Sequence, residues 1–270
     1  MLIEIDCPLC GSHRTEPWAE ERNFKTVRCG QCRLLYVSPR PQDDAIDAAV
    51  RMGVHSDGLN VIGRRIRSKV GRARRLVSPM FADFRGRPIS WMDVGAGFGE
   101  VVEAVKKTWP EAEAFGLEPM EAKAVDATRR GVDVRNEYLE SGRYEVDVIS
   151  VIDVFSHIPD FRAFLQTVKA NLKPRGSLLV VTGNLADLSR REEFPGILGL
   201  PDHLVFAGEN QIKRYLKEAG FVVHSVQRRR FDTIGQSLKI VVKKLAGRPV
   251  HLALPYASRY RSLAIRADLA

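Results

Sequence analysis

All four cysteines of the 270-residue chain fall in its first 32 positions, as Cys7-Pro-Leu-Cys10 and Cys29-Gly-Gln-Cys32. Each C-x-x-C pair offers two thiolates from one tight turn, and Gly11 and Gly30 suit such turns. Two such knuckles have the spacing of a tetrahedral four-cysteine zinc site. Four thiolates fill the coordination shell and leave no position for water or substrate. The expected role of Zn2+ is therefore structural, a staple for a lobe too small to bury a core of its own. Two disulfides are the rival arrangement. Met1–Asp6 holds two acids and no apolar stretch of a secretory signal, so a reducing, cytoplasmic setting is expected and zinc is favoured.

A second chemical pattern is Gly95-Ala96-Gly97-Phe98-Gly99-Glu100, with Asp93 just before it and Glu118 beyond it. A glycine loop between strand and helix lets the backbone approach a nucleotide or nucleoside. Position 100 is Glu, where the dinucleotide fingerprint wants a third small residue. A carboxylate at a helix start also repels a pyrophosphate, whereas an uncharged or zwitterionic nucleoside tolerates it. Glu118 is placed to accept hydrogen bonds from both ribose hydroxyls.

These residues need a scaffold, and the hydrophobic periodicity supplies one. A short strand, Leu34–Val37, is broken by Ser38-Pro39-Arg40-Pro41, and the cysteine lobe is expected to end there, at residue 41. Residues 42–87 read as a helical connector. It contains a basic amphipathic helix whose Arg64, Arg65, Arg67, Lys69, Arg72, Arg74 and Arg75 lie opposite Ile66, Val70 and Leu76. From residue 88 to 270 strands and helices alternate. Strands are expected at Ile89–Val94, Ala114–Leu117, Val132–Val134, Val146–Val154, Ser177–Thr182, Phe221–Val226 and, as an edge strand, Ser262–Ala267. Helices are expected at Glu100–Thr108, Met120–Arg130, Asp160–Leu172 and Glu209–Ala219, with Lys173–Gly176 stopping the third. This alternation implies an α/β, doubly wound, mostly parallel sheet that binds ligand at the carboxyl ends of its strands. Gly95–Gly99, Glu118, Asp153–His157 and Gly183-Asn184 would then ring one crevice.

The segments Trp91–Gly99 and Gly116-Leu117-Glu118-Pro119 resemble the first two signature motifs of class I S-adenosylmethionine-dependent methyltransferases. Tyr144–Ser150, Asp153-Val154-Phe155-Ser156-His157-Ile158, Leu172–Leu178 and Ala219-Gly220-Phe221 resemble the family's later segments, in order, across residues 88–267. The cysteine knuckles with Leu34–Pro41, and Pro201–Phe206, resemble a bacterial subgroup in which a zinc ribbon precedes this domain. That subgroup works on sugars, polysaccharides or natural products. The resemblance implies a seven-stranded Rossmann-like sheet and S-adenosyl-L-methionine as donor. It assigns the donor to Asp93, Gly95, Ala96, Gly97, Gly99, Glu118, Pro119 and Asp153. Two positions depart from the pattern: Ser156 where many relatives carry Glu, and Arg175 in place of a turn glycine.

Methyl transfer from a sulfonium needs alignment of donor and nucleophile and, for a hydroxyl acceptor, removal of a proton. Histidine suits that task near neutral pH. His157 follows the fourth strand of the larger domain, and His203 lies in a Gly- and Pro-punctuated loop, 194–208, long enough to act as a lid. Either could be the base or a substrate ligand, and Asp202 could orient a histidine. His13, His55, His224 and His251 have no such placement.

Composition narrows the remainder. With 44% hydrophobic and 28% charged residues the chain is neither disordered nor fibrous, and no apolar run approaches the ~20 residues of a membrane span. The net charge of +9 favours anionic partners. A small-molecule or glycan acceptor, anionic or nucleotide-linked, is expected, and Arg228-Arg229-Arg230 could hold a diphosphate. There is no N-P-P-Y or D-P-P-Y motif, and no cysteine outside the knuckles for a pyrimidine adduct. Two other readings stay open: an RNA methyltransferase gripping phosphates with the lobe and basic helix, and a non-catalytic nucleoside-binding module.

Overall fold

The computed structural model describes residues 1–52, 66–194, 196–230, 234–245 and 259–270. At the N-terminus β1 (Leu2–Ile3) pairs antiparallel with β5 (Arg40–Pro41). Between them β2 (Thr15–Glu21), β3 (Phe24–Cys29) and β4 (Leu35–Val37) form an antiparallel meander. The β2–β3 turn uses Arg22 and Asn23, both at positive φ (52° and 66°), the geometry that matches strand twist in a two-residue hairpin. The fourth strand of this sheet comes from far down the chain. Residues Val205–Phe206, the later β11, pair with β4 through Val205↔Tyr36 and Phe206↔Leu35. The lobe therefore shares its sheet with the larger part.

Helix α1 (Asp43–Met52) follows, its first turn acidic and its last basic, as the helix dipole favours. Helix α2 (Ile66–Met80) is the described part of the basic helix; Arg64 and Arg65 lie outside the described residues. The expected alternation then appears as β6 (Ser90–Val94), α3 (Glu100–Thr108), β7 (Glu113–Leu117), α4 (Glu121–Arg129), β8 (Val134–Arg135), β9 (Val146–Ile152), α5 (Phe161–Ala170), β10 (Leu172–Gly183), β11, α6 (Glu209–Glu218), β12 (Phe221–Arg230), α7 (Ile234–Leu245) and β13 (Arg261–Leu269). The large sheet runs β12-β13-β10-β9-β6-β7-β8.

Two expectations need correction. The last strand is not at an edge: β13 lies between β10 and β12 and is antiparallel to both. Its Leu263, Ala264, Ile265, Arg266 and Ala267 are all buried, as a central strand covered on both faces requires. The buried Arg266 spans the gap to α2, donating to both oxygens of Asp83 (2.6 and 2.9 Å) and to the Met80 carbonyl. Second, Lys173–Gly176 does not simply separate helix from strand. It is a bulge inside β10, where the pairing register with β9 shifts between Leu172 and Ser177. Arg175 there takes φ +62°, the conformation a glycine would adopt without cost.

Alternation along the strands divides the core. Met92, Val94, Ile149, Val151, Leu178 and Val180 face α5, α6 and the cysteine lobe, whose Cys7, Cys29, Leu34 and Tyr36 join that cluster. Trp91, Val148, Leu179 and Val181 face α2, α3 and α4 on the other side. The carboxyl ends of β6, β9 and β10 are left open between the layers, and there the cavity forms.

Candidate functional site

A cavity of about 550 Å³ opens at the carboxyl ends of the strands. Asp93, Gly95, Ala96, Gly97 and Asp153 line it, together with Gly183. Gly95 sits at φ +72°, and a Cβ there would lie 2.4 Å from Val154 Cγ2, so the tight turn out of β6 admits only glycine. Asp93 is fully enclosed. Ser150 Oγ donates to it and in turn accepts from Trp91 Nε1 at 2.9 Å. Burial, with the charges of Glu100 and Glu118 adding, pushes the Asp93 carboxyl up to about 8 against the lowering effect of Ser150.

Glu118 directly follows β7 but does not itself line the cavity. It is 5% exposed and its oxygens accept from the Gly97 amide (2.7 Å) and the Met120 amide (3.0 Å). The carboxylate thus fixes the glycine loop from behind and keeps lone pairs for further donors. Pro119 and Gly99 are also away from the wall. The Pro119 carbonyl accepts from Asn136 Nδ2, and Gly99 opens α3 at φ +77°, packed against Val132. Gly99 is a packing glycine. Asp153 takes φ +57° and lines the cavity, where its side chain stays open to solvent. Desolvation by the cavity walls raises its pKa, and the nearby charges of His157, Arg72 and Lys69 oppose the rise.

The two candidate histidines meet one another beside the cavity, outside its lining. Their ring centroids are 4.6 Å apart. Asp202 accepts from His157 Nδ1 at 3.0 Å, and the Leu198 carbonyl from His203 Nδ1 at 2.6 Å. Asp202, expected to meet a histidine, hydrogen-bonds His157, 45 residues away in the chain. The ligating atoms of His157, Asp202 and His203 all lie within 4.8 Å, a group able to share a proton or a cation. The loop carrying Asp202 and His203 is held from the N-terminal sheet. Glu21 accepts from the amides of Leu198, Gly199 and Leu200 at 2.8, 2.7 and 3.2 Å. Burial alone would raise its pKa, but the three amides outweigh burial and hold the carboxyl below its usual range. Leu204 bridges the parts, its amide donating to Ser156 and its carbonyl accepting from Val37.

The basic helix divides by face. All five described cations are exposed, but only Lys69 and Arg72 line the cavity, Lys69 pairing with Glu100 at 3.3 Å. The arginine run at the end of β12 divides as well. Arg228 forks onto Glu209 outside, and Arg229 and Arg230 line the cavity. Sequence reasoning missed Tyr260, whose hydroxyl lies against Gly183, where a Cβ would be 1.9 Å away. Burial, with the charge of Asp153, pushes this phenol up to about 12. Tyr260 precedes β13, and because β13 is antiparallel its beginning meets the carboxyl ends of its parallel neighbours. The rule that points only to strand ends overlooks it.

The knuckle cysteines form no disulfide. Cys7 Sγ stands 3.4 Å from Cys32 Sγ and Cys10 Sγ 3.5 Å from Cys29 Sγ, and all four sulfurs lie within 4.8 Å of one another. A tetrahedron of 2.3 Å Zn–S bonds has sulfurs about 3.8 Å apart, so the four fit the metal without rearrangement. The amides of Gln31 and Cys32 point at Cys29 Sγ, as second-sphere donors to a thiolate do. The hydrogen bond between Cys7 and Cys32 raises the first thiol and lowers the second.

A methyltransferase-domain family pattern matches residues 64–226, more than half the chain. The chain belongs to the methyltransferase-domain family. Among solved structures it resembles geranyl diphosphate C-methyltransferase from Streptomyces coelicolor A3(2), in complex with Mg2+, geranyl diphosphate and S-adenosyl-L-homocysteine. The identity is 15% and the TM-score 0.57, over 76% of this chain and 81% of that one. Magnesium protoporphyrin IX methyltransferase from Synechocystis PCC 6803 with bound S-adenosylmethionine is similar at 14% identity and TM-score 0.53, over 83% and 97%. These likenesses establish the methyltransferase Rossmann-like fold. A mitochondrial ubiquinone biosynthesis O-methyltransferase of Bos taurus is 27% identical over 165 residues, 52% of this chain and 44% of that protein. The chain thus spans less than half the length of the curated relatives it matches. Among the described residues no helix is long and apolar enough to cross a membrane.

Proposed function

We propose that this protein is an S-adenosylmethionine-dependent methyltransferase acting on a hydroxyl of a sugar, polysaccharide or secondary metabolite. The observation that carries the reading is the Glu118–Gly97 bond. It holds a left-handed glycine turn open at the carboxyl end of β6, in a chain of the methyltransferase-domain family. A cavity of about 550 Å³ accommodates a zwitterionic nucleoside and leaves room for part of an acceptor. Gly95, Ala96 and Gly97 would border the donor, with Glu118 toward its ribose and Asp93 and Asp153 toward its cationic end. When bound, the donor supplies an electrophilic methyl on a sulfonium.

The chain's own residues then have three tasks. The turn and its carboxylates fix the donor, so that alignment, not acid–base chemistry, supplies most of the rate. The mass of α2 and Tyr260 restricts water. His157, oriented through Nδ1 by Asp202, takes the acceptor's proton, its Nε2 nitrogen being the basic atom in the tautomer that this contact selects. His203, fixed by the Leu198 carbonyl, buttresses the His157 ring. Zn2+ on Cys7, Cys10, Cys29 and Cys32 would lock the lobe and take no part in the chemistry.

The test is an acceptor screen with labelled methyl donor, followed by His157→Ala. General-base removal is expected to lower kcat at least ~100-fold and leave S-adenosylhomocysteine affinity within about twofold. Full turnover by His157→Ala on the acceptor so found would remove it from the role of base.

A further inference from the structure

Among the described residues nine large apolar side chains are exposed, and three of them share one face of one helix. Leu238, Val242 and Leu245 of α7 are 59%, 63% and 83% exposed. At ~100° per residue their directions fall within an arc of about 60°, so they form one stripe along the helix. Scattered exposed hydrophobes are ordinary on a folded surface, whereas a contiguous stripe marks a place of contact. The fold leaves this stripe to solvent. The charge around it has one sign: residues 233–259 hold Lys239, Lys243, Lys244, Arg248 and Arg259 and no acid. Lys243 and Lys244, both exposed, leave α7 on opposite sides of the stripe, back toward its polar face.

Charge selects what covers the stripe. A second copy of the chain, docked stripe to stripe, would bring the lysines of both helices together with no acid in either segment to answer them. A protein groove is a poor match as well. Protein interfaces favour aromatic side chains and Arg and disfavour Lys, and α7, Ile-Gly-Gln-Ser-Leu-Lys-Ile-Val-Val-Lys-Lys-Leu, holds three lysines and neither of the others. An anionic lipid surface meets both requirements at once, with acyl chains for Leu238, Val242 and Leu245 and headgroup phosphates for lysines whose apolar stems lie along the boundary. Its 12 residues make α7 about 18 Å long, too short for a hydrocarbon core of ~30 Å, so it would lie in the plane of the interface.

We propose that α7 is an interfacial helix that docks the protein on an anionic bilayer, with Leu238, Val242 and Leu245 in the acyl boundary and Lys243 and Lys244 on lipid phosphates. The place of α7 in the chain gives the docking a consequence. Arg229 and Arg230 line the cavity before it and Tyr260 lines the cavity after it. Four residues of chain separate Arg230 from Ile234, a reach of no more than about 14 Å. Docking through α7 therefore keeps the cavity wall close to the headgroup layer, whatever reaction is performed there.

The test is co-sedimentation of the full zinc-loaded chain with vesicles of phosphatidylcholine mixed with phosphatidylglycerol, and with vesicles of phosphatidylcholine alone. Partition onto the anionic vesicles is expected to be at least tenfold stronger. Leu238→Gln/Val242→Gln/Leu245→Gln should lose at least tenfold of that partition while melting as the wild type does. Lys243→Gln/Lys244→Gln should also lose at least tenfold, at about fivefold per lysine. If the triple variant does not fold, Leu245→Gln alone, at the most exposed of the three positions, should lose at least threefold. No binding of wild type to anionic vesicles, or equal binding to both compositions, overturns the proposal. Full binding by the triple variant also overturns it, since only the general attraction of a +9 chain for negative lipid would then remain. Self-association in sedimentation velocity that the triple variant loses, without vesicle binding, gives the stripe to a second copy instead. The methyltransferase reading is decided by donor titration and is untouched by any of these results.

Discussion

Asp93 concentrates the electrostatics of the site in one carboxyl. A pKa near 8 in the fold, against about 4 in the unfolded chain, means that the folded protein keeps a proton the unfolded chain releases between those values. By linkage, stability then falls as pH rises through that window, and it is unaffected by this group below about pH 4. A cationic ligand beside Asp93 lowers its pKa again. Binding of S-adenosylhomocysteine, which carries the ammonium, should therefore release a fraction of a proton at pH 7. Calorimetry in buffers of different ionisation enthalpy reads this directly, and Asp93→Asn should abolish it. Glu118 makes a second prediction at this scale. Glu118→Gln retains one acceptor oxygen but orphans either the Gly97 or the Met120 amide, at a cost of about 1–3 kcal/mol in thermal or denaturant unfolding. Donor affinity should fall at least tenfold, measured by the same titration.

Between elements, the informative contact is Glu21 with the amides of Leu198, Gly199 and Leu200. A residue on β2 of the cysteine lobe thus fixes the loop that carries Asp202 and His203. Glu21→Ala leaves three amides without their acceptor and should cost about 2 kcal/mol. Its kinetic signature is the more telling: kcat falling at least tenfold with donor KM within about twofold, and Glu21→Gln intermediate. Because loss of folded protein alone also lowers apparent kcat at constant KM, kcat is referred to active sites counted by S-adenosylhomocysteine titration, and the tenfold fall is expected to persist after that correction. The sequence makes some of this organisation legible and hides the rest. Short apolar runs and period-3.6 patterns locate α3 to the residue and β6, β7, β9 and α6 to within a residue or two, because the helices bury one face and the strands are largely buried on both. The β2–β3 hairpin escapes notice because Thr15–Glu21 carries three acids and little alternation, its order coming from pairing with β3. The central place of β13 is equally hidden, since strand order is set by contacts nearly a hundred residues apart. For the same reason sequence spacing identifies Asp93, Gly95 and Gly97 as cavity residues but not Tyr260, and it separates His157 from the Asp202 that hydrogen-bonds it.

Across the whole molecule, the cysteine lobe and the methyltransferase fold are joined by one shared sheet and one core. Beyond the β4–β11 pairing, Gln211 Nε2 donates to the Cys32 carbonyl at 2.8 Å, Arg28 Nη2 to the Leu188 carbonyl at 2.5 Å, and Arg162 to the Leu9 carbonyl. Loss of the proposed zinc should accordingly be felt at a distance. Elemental analysis is expected to give one zinc per chain. A strong chelator should lower the melting temperature by several degrees and depress turnover before it weakens donor binding, because the lobe positions the Asp202–His203 loop and not the glycine turn. The central claim is that the turn at Gly95–Gly97, backed by Glu118, holds an S-adenosyl nucleoside. The most direct measurement is calorimetric titration of the intact, zinc-loaded chain with S-adenosylhomocysteine, with NAD as the control ligand. One-site binding of about micromolar strength with no response to NAD is the expected result; well-folded protein that ignores S-adenosylhomocysteine, or prefers NAD, would contradict it.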